Sequence, residues 1–261
     1  ILHSRQFKLE SWDKLGKVSE LDSKYLDDYI NEIFKGLNLK AILKAKHKVV
    51  VECCNGSASV IIKQIFEKAG VDLITINDEL NGYLPHDPEP RPRTAYQTKA
   101  LLETISADIG FVLNSDATRV SLVTSAGETL SEELTFPLVT KALLDKTSEP
   151  QIIISNVCTT RSVEQVAKKH GSKVIKVEVG QSAAVECLQE TDAMIAGDGM
   201  GSIAFKGAVP GFDAFRSMLV ILEAMALNDK SSATLVNELP RYHIYKSKIR
   251  CNTSKGYAVI Q

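Results

Sequence analysis

The chain has 261 residues, a length that suits one to two domains at about 150 residues each. Hydrophobic residues make up 44% and charged residues 24%, which excludes a disordered, collagen-like or membrane-embedded class. Thirty-one basic and thirty-two acidic residues leave a formal charge of −1, so the charge gives no reason to expect nucleic acid or an anionic membrane as a partner.

In chain order, Asp22 and Ser23 are good helix N-caps, and Leu26, Tyr29, Ile30, Ile33, Phe34 and Leu37 follow at helical spacing. This predicts an amphipathic helix over 22–37. Lys48 to Cys54 is a β-branched run that reads as a strand, Asn55 to Ser59 is a turn of small residues, and Val60 to Ala69 is a helix ended by Gly70. Val71 to Ile76 is the next strand, which completes a right-handed βαβ unit. The segment Asn77 to Thr94 contains Pro85, Pro88, Pro90 and Pro92; it cannot be helix or central strand and must be an extended surface connection. His86 lies in this connection and is expected on the surface.

The same plan then repeats. Gln151 to Asn156 is a strand, Cys158 to Thr160 a turn, Arg161 to His170 a helix, Gly171 its terminator and Ser172 to Val177 a strand. Ala107 to Asn114 runs into a small polar loop, as Thr191 to Ala196 runs into another. A short strand and a long helix follow each loop, the helices being near 131–144 and 211–227. Ser217 to Leu227 is too short for the roughly 20 apolar residues that a bilayer needs, and reads as a buried helix. The expectation is two tandem α/β domains divided near Asp145 to Glu149.

Cys53, Cys54, Cys158, Cys187 and Cys251 form no CxxC pair and no metal spacing with the five histidines, so neither zinc nor a redox motif is indicated and a reducing cytoplasm fits. Ile1 is not an initiator methionine, and the chain is expected to be part of a longer or processed protein.

Three turns sit where α/β sheets bind ligands, outside the carboxyl ends of strands. In Asn114-Ser115-Asp116-Ala117-Thr118-Arg119, oxygen-bearing side chains at alternate positions could face a hard cation, although one carboxylate makes a weak magnesium site. The same residues also satisfy the geometry of a plain hairpin. In Gly197-Asp198-Gly199-Met200-Gly201-Ser202, alternating glycines allow close backbone approach to a ligand and Asp198 can accept hydrogen bonds from vicinal hydroxyls; a plain tight turn is the other reading. Thr159-Thr160-Arg161 offers hydroxyls and a guanidinium at a helix N-terminus, suited either to phosphate or to simple capping.

The ordered series Val50-Val-Glu-Cys-Cys-Asn-Gly-Ser57, Gly82-Tyr-Leu-Pro-His-Asp-Pro-Glu-Pro90, Asn114 to Arg119 and Gly197 to Ser202 resembles the α-D-phosphohexomutases, the phosphoglucomutase and phosphomannomutase superfamily. The resemblance covers roughly residues 20–250 and implies two duplicated α/β domains of the phosphohexomutase type, each a mixed sheet flanked by helices. It implies a linker over 1–20, domain II over 21–145, domain III over 146–235 and a hinge over 236–261. The family's phosphoserine-bearing first domain and phosphate-gripping fourth domain are expected to lie outside this chain. In the family, three aspartates of a DGDxDR motif hold magnesium and a GExSG-type or GEGNGG-type loop grips sugar hydroxyls. Here Asn114 and Thr118 replace two of those aspartates, leaving Asp116 with Arg119 beside it, and Asp198 replaces the loop glutamate.

The resemblance therefore implies magnesium in the family and a weak or empty site here. Hexose-phosphate contacts are implied at Asp198, Gly199, Met200, Gly201, Ser202 and Arg161, with no catalytic residue in this chain. The function it implies is a mutase-like, two-domain chain of carbohydrate metabolism, inactive on its own. The alternative is a non-catalytic sugar-phosphate-binding, regulatory or structural module of a larger sugar-nucleotide enzyme, such as a sugar-1-phosphate nucleotidyltransferase fusion.

Overall fold

A computed structural model describes residues 9–20, 22–207, 209 and 211–242. Most of the expected hinge lies outside the described residues, as does Cys251.

The first sheet has the order β2-β1-β3-β4, from β1 (Lys48–Glu52), β2 (Asp72–Ile76), β3 (Ile109–Leu113) and β4 (Val120–Thr124). β1 runs parallel to β2 and β3, pairing Val49 with both Leu73 and Ile109, and β4 returns antiparallel with Leu122 opposite Phe111. The second sheet repeats this as β6-β5-β7-β8, from β5 (Ile152–Asn156), β6 (Lys173–Val177), β7 (Ile195–Gly197) and β8 (Ile203–Phe205). Here too the first two pairings are parallel and the last antiparallel, with Ile153 opposite Val174 and Ile195, and Ile195 opposite Phe205. The duplication inferred from sequence is thus present strand for strand.

Period-two alternation places helices on both faces of each sheet. Val49, Val51 and Phe111 pack with Ile62, Ile65 and Phe66 of α3 (Ala58–Lys68), while Val50, Val112 and Val123 pack with Leu102 of α4 (Tyr96–Ile105). In the second sheet Ile153 and Ile195 face Val163 and Val166 of α6 (Ser162–Lys169), and Ile154 and Ala196 face Ala184 and Leu188 of α7 (Gln181–Glu190).

Between the sheets lie α5 (Thr135–Leu144), which packs on α6, and α8 (Ala214–Asn228), which packs on α5 and on α2 (Leu39–Ala45). Phe136, Val139, Met218, Leu219 and Leu222 join the side chains of both sheets in one continuous core. The apolar run from Ser217 is the buried middle of α8, whose N-terminus Asp213 caps by accepting from Arg216 N–H. No helix among the described residues is long and apolar enough to cross a membrane.

Three local readings differ from the sequence. The helix expected over 22–37 stops as α1 (Ser23–Ile33), because the chain turns through Gly36 at φ 76° before α2 begins. The helix expected from Ser131 starts as a 3-10 turn, Glu132–Leu134, ahead of α5. His86 is not a surface residue, since only 10% of its side chain is exposed.

The sheet edges differ in how they are covered. The outer side of β4 is met by the following segment, with Leu130 N–H on Leu122 O and Thr124 N–H on Glu128 O, both at 2.9 Å. β8 is met by Asp213 N–H on Ile203 O at 2.9 Å. β2 and β6 each pair on one side only among the described strands.

Candidate functional site

The candidate site is built from turns at the carboxyl ends of the strands. The β3–β4 turn, Asn114 to Arg119, is closed by its own side chains. Asn114 Oδ1 accepts from Thr118 N–H at 3.0 Å and Arg119 N–H at 2.9 Å. Two backbone donors on one oxygen fix the orientation of the amide, so its nitrogen faces the other way. That nitrogen donates to Asp116 Oδ1 at 2.6 Å and to Thr118 Oγ1 at 3.1 Å. Thr118 adds its hydroxyl, at 2.6 Å, and its backbone N–H, at 3.1 Å, to the same Asp116 oxygen.

Asp116 Oδ1 therefore receives three hydrogen bonds from within the turn. Burial pushes the Asp116 carboxyl up, but these bonds and the nearby Arg119 charge outweigh it and hold the group below its ordinary range. Arg119 reaches across to the proline-rich connection, where its Nη1 lies 2.7 Å and 2.6 Å from the two Glu89 carboxylate oxygens. The turn after β1 joins the same rim through Ser57 N–H on Ser115 O at 2.8 Å.

The β7–β8 turn is built the same way. Asp198 Oδ1 accepts from Met200 N–H at 2.8 Å and from Ser202 N–H at 3.2 Å, so each hairpin begins with a side-chain oxygen holding the N–H four residues on. Asp198, Gly199, Gly201 and Ser202 are buried and Met200 is half-buried.

The two hairpin tips meet. Val120 N–H donates to Gly201 O at 3.1 Å, and Arg119 bridges Ser202 in antiparallel fashion. Gly201 has φ 82°, and a Cβ there would lie 2.5 Å from Val120 O, so close backbone approach at this glycine is used by the other hairpin. At Gly199 a Cβ would lie 2.5 Å from both carboxylate oxygens of Glu133.

Glu133 is 7% exposed, and its Oε2 accepts from Thr160 N–H at 3.1 Å. It thus joins the turn before α6 to the Asp198 loop. Sequence reasoning missed it, because Ser131 followed by two acidic residues reads as an ordinary helix start. Arg161 stands at the N-cap of α6, next to Thr160. Its side chain is 78% exposed and reaches Glu164 at 3.9 Å.

Comparison with known proteins gives a consistent picture. The family model described as phosphoglucomutase/phosphomannomutase, alpha/beta/alpha domain II, matches residues 27–127, and that for domain III matches residues 132–242. The phosphoglucomutase/phosphomannomutase of Thermococcus kodakarensis is 26% identical over 95% of this chain and 54% of its own length. The phosphoglucosamine mutase of Methanococcus maripaludis is 25% identical over 96% of this chain and 56% of its own. Among solved structures, a phosphoglucomutase/phosphomannomutase family protein from Burkholderia thailandensis matches with TM-score 0.71 and 27% identity, over 83% of this chain and 46% of that one. The N-acetylphosphoglucosamine mutase of Aspergillus fumigatus, solved with GlcNAc-6P and magnesium, shares the fold with TM-score 0.58 at 13% identity, over 77% of this chain and 51% of that one. The chain spans about half the length of the curated relatives it matches.

Proposed function

This chain belongs to the phosphoglucomutase/phosphomannomutase family, of which it carries α/β/α domains II and III, and from that premise we propose that it binds hexose phosphates without turning them over as a mutase on its own. The reading is carried by Asn114. Its amide, oriented by two backbone donors, points N–H groups at the one carboxylate of the turn. Magnesium requires a shell of oxygen lone pairs, whereas here Asp116 Oδ1 already receives three hydrogens and no second carboxylate is present in the turn. These residues do not fit magnesium. Hydrogen bonds do the work of closing the loop, and transition-state charge on a phosphoryl group would go without that neutralisation.

Binding needs less. The proposed contacts are Asp198, Gly199, Met200, Gly201 and Ser202 toward sugar hydroxyls, directly or through a bridging water, and Arg161 toward phosphate beside the N-terminus of α6. The exposure of the Arg161 guanidinium supports its role as the phosphate partner. Relatives named for glucosamine phosphates keep amino sugars within the proposed substrate class. We take 21–145 and 146–235 as the two domains, and a cytoplasmic setting, which fits the unpaired Cys53, Cys54, Cys158 and Cys187.

The test is isothermal titration with glucose, mannose and glucosamine 1- and 6-phosphates, alongside a mutase assay with hexose bisphosphate and magnesium. Millimolar binding that weakens in Arg161→Ala and Asp198→Ala, with no turnover, is expected. Turnover above background overturns the inactivity, and binding untouched by both substitutions overturns the site. Asn114→Asp with Thr118→Asp is expected to raise magnesium affinity by replacing donors with anionic oxygens.

A further inference from the structure

Glu52 ends β1, Cys54 follows in the turn, and His86 reaches the same place from the proline-rich connection. We infer that Glu52, Cys54 and His86 form a binding site for a borderline-soft divalent ion of the zinc class, distinct from the Asn114 turn. One ligand atom from each lies within 4.8 Å of the others. Glu52 and Cys54 are 0% exposed.

The tautomer of His86 favours a metal. Its Nδ1 lies 2.8 Å from Asp87 O, an acceptor, so Nδ1 carries the hydrogen and the neutral ring presents the Nε2 lone pair. Nε2 is buried without a hydrogen-bond partner and lies 3.1 Å from Glu52 Oε1, a proximity of two acceptors that needs a cation or proton beside them. A backbone carbonyl holding the far ring nitrogen is the usual support of a metal-bound histidine.

The carboxylate points to the same occupant. Glu52 Oε1 accepts from Cys54 N–H and Asn77 Nδ2, both at 3.0 Å, which holds the side chain in place. Its Oε2 is buried without a hydrogen-bond partner. Such an atom is costly unless it is paired or coordinated. One carboxylate, one thiolate and one neutral imidazole around a divalent ion sum to zero charge, which suits an enclosed site. Sulfur, nitrogen and oxygen together suit zinc and not magnesium. On binding, the Cys54 S–H bond breaks, its proton leaves to the buffer, and a sulfur–metal bond forms. An ordinary cysteine thiol holds its proton at neutral pH, so metal uptake carries a proton release.

The experiment uses the reduced, chelator-treated chain titrated with Co2+ as a zinc stand-in. One equivalent is expected to give a thiolate-to-cobalt charge-transfer band, and Zn2+ to displace it. Zn2+ calorimetry in buffers of different ionisation enthalpy is expected to show about one proton released per ion. Cys54→Gly, which suits the φ of 53° at that position, and His86→Gln should each weaken Co2+ binding about 100-fold or more, while Cys158→Ser leaves it unchanged. Circular dichroism checks that each variant folds, and His86→Gln alone decides if Cys54→Gly does not. No band, a band that survives His86→Gln, or a His86 ring that stays doubly protonated by nitrogen NMR with Zn2+ present would overturn the proposal. The last outcome would leave a proton shared with Glu52.

Discussion

Gly201 cannot carry a side chain where it stands. A left-handed φ of 82° costs an alanine about 1–2 kcal/mol, and the new Cβ would press on Val120 O, a backbone atom that cannot swing aside. Gly201→Ala is expected to destabilise the protein by about 2 kcal/mol or more, read as a lower urea midpoint. Gly16→Ala, with nothing within 4 Å, is the matched control that should leave the midpoint in place. Asp116 makes a pH prediction with a definite sign. Its folded carboxyl lies below the ordinary range, so its stabilisation is present above that range and is lost as pH falls through the folded value. The Thr118 amide resonance should therefore titrate with a midpoint below the usual aspartate value of about 3.9; a midpoint at or above it would refute the closed turn.

At the scale of elements, the joint between α2 and α8 is ionic inside an apolar interface. Glu223 of α8 is 1% exposed and takes Lys146 Nζ at 2.7 Å and 2.8 Å and Asn38 N–H at 2.6 Å, while Lys146 also donates to Gly36 O at 3.0 Å. Lys146→Met would leave a buried carboxylate without its cation. The expected loss is about 2–3 kcal/mol, below the roughly 3–5 of a fully enclosed pair, because part of Lys146 meets water. Adding Glu223→Leu should recover part of that loss, the Asn38 N–H being left unpaired; no recovery in urea unfolding would mean that the charge is not what matters.

Elements were legible in sequence where a pattern was strong. Val49 to Val51 and Ile152 to Ile154 announce strands, and Gly70 and Gly171, at φ 65° and 66°, end the helices that follow. Helices α4 and α7 were not anticipated. α4 follows four prolines and starts without a side-chain cap, and α7 opens after Gly180, also uncapped. The hairpin residues could be named from sequence, but not how their hydrogen bonds are divided. Whether Asn114 turns its oxygen or its nitrogen toward Asp116 depends on two amides that only the folded turn supplies. The Glu52, Cys54 and His86 grouping was hidden for a related reason, since motif spacing cannot register ligands brought together by a long connection.

For the whole molecule, duplication of the sheets does not make two independent units. The core runs without interruption from Ile33 and Phe66 through Phe136 and Leu219 to Val166, and the hairpin tips are bonded to each other. We expect one cooperative thermal transition with equal calorimetric and van't Hoff enthalpies; two resolved transitions would show that the interface is weaker than the halves.

The edges of β2 and β6, each paired on one side only among the described strands, bear on how the chain behaves at high concentration. β6 carries Lys173 and Lys176, which discourage a second strand from adding to it, but β2 reads Asp72-Leu-Ile-Thr-Ile76 with no basic residue. Self-association on heating should therefore begin at β2, and Ile74→Lys should slow the rise of light scattering with little change in folding. An unchanged rate would place the nucleus elsewhere. A β-branched strand paired on one side only among the described strands is a standing invitation to aggregate, and it gives a single position at which solubility can be adjusted.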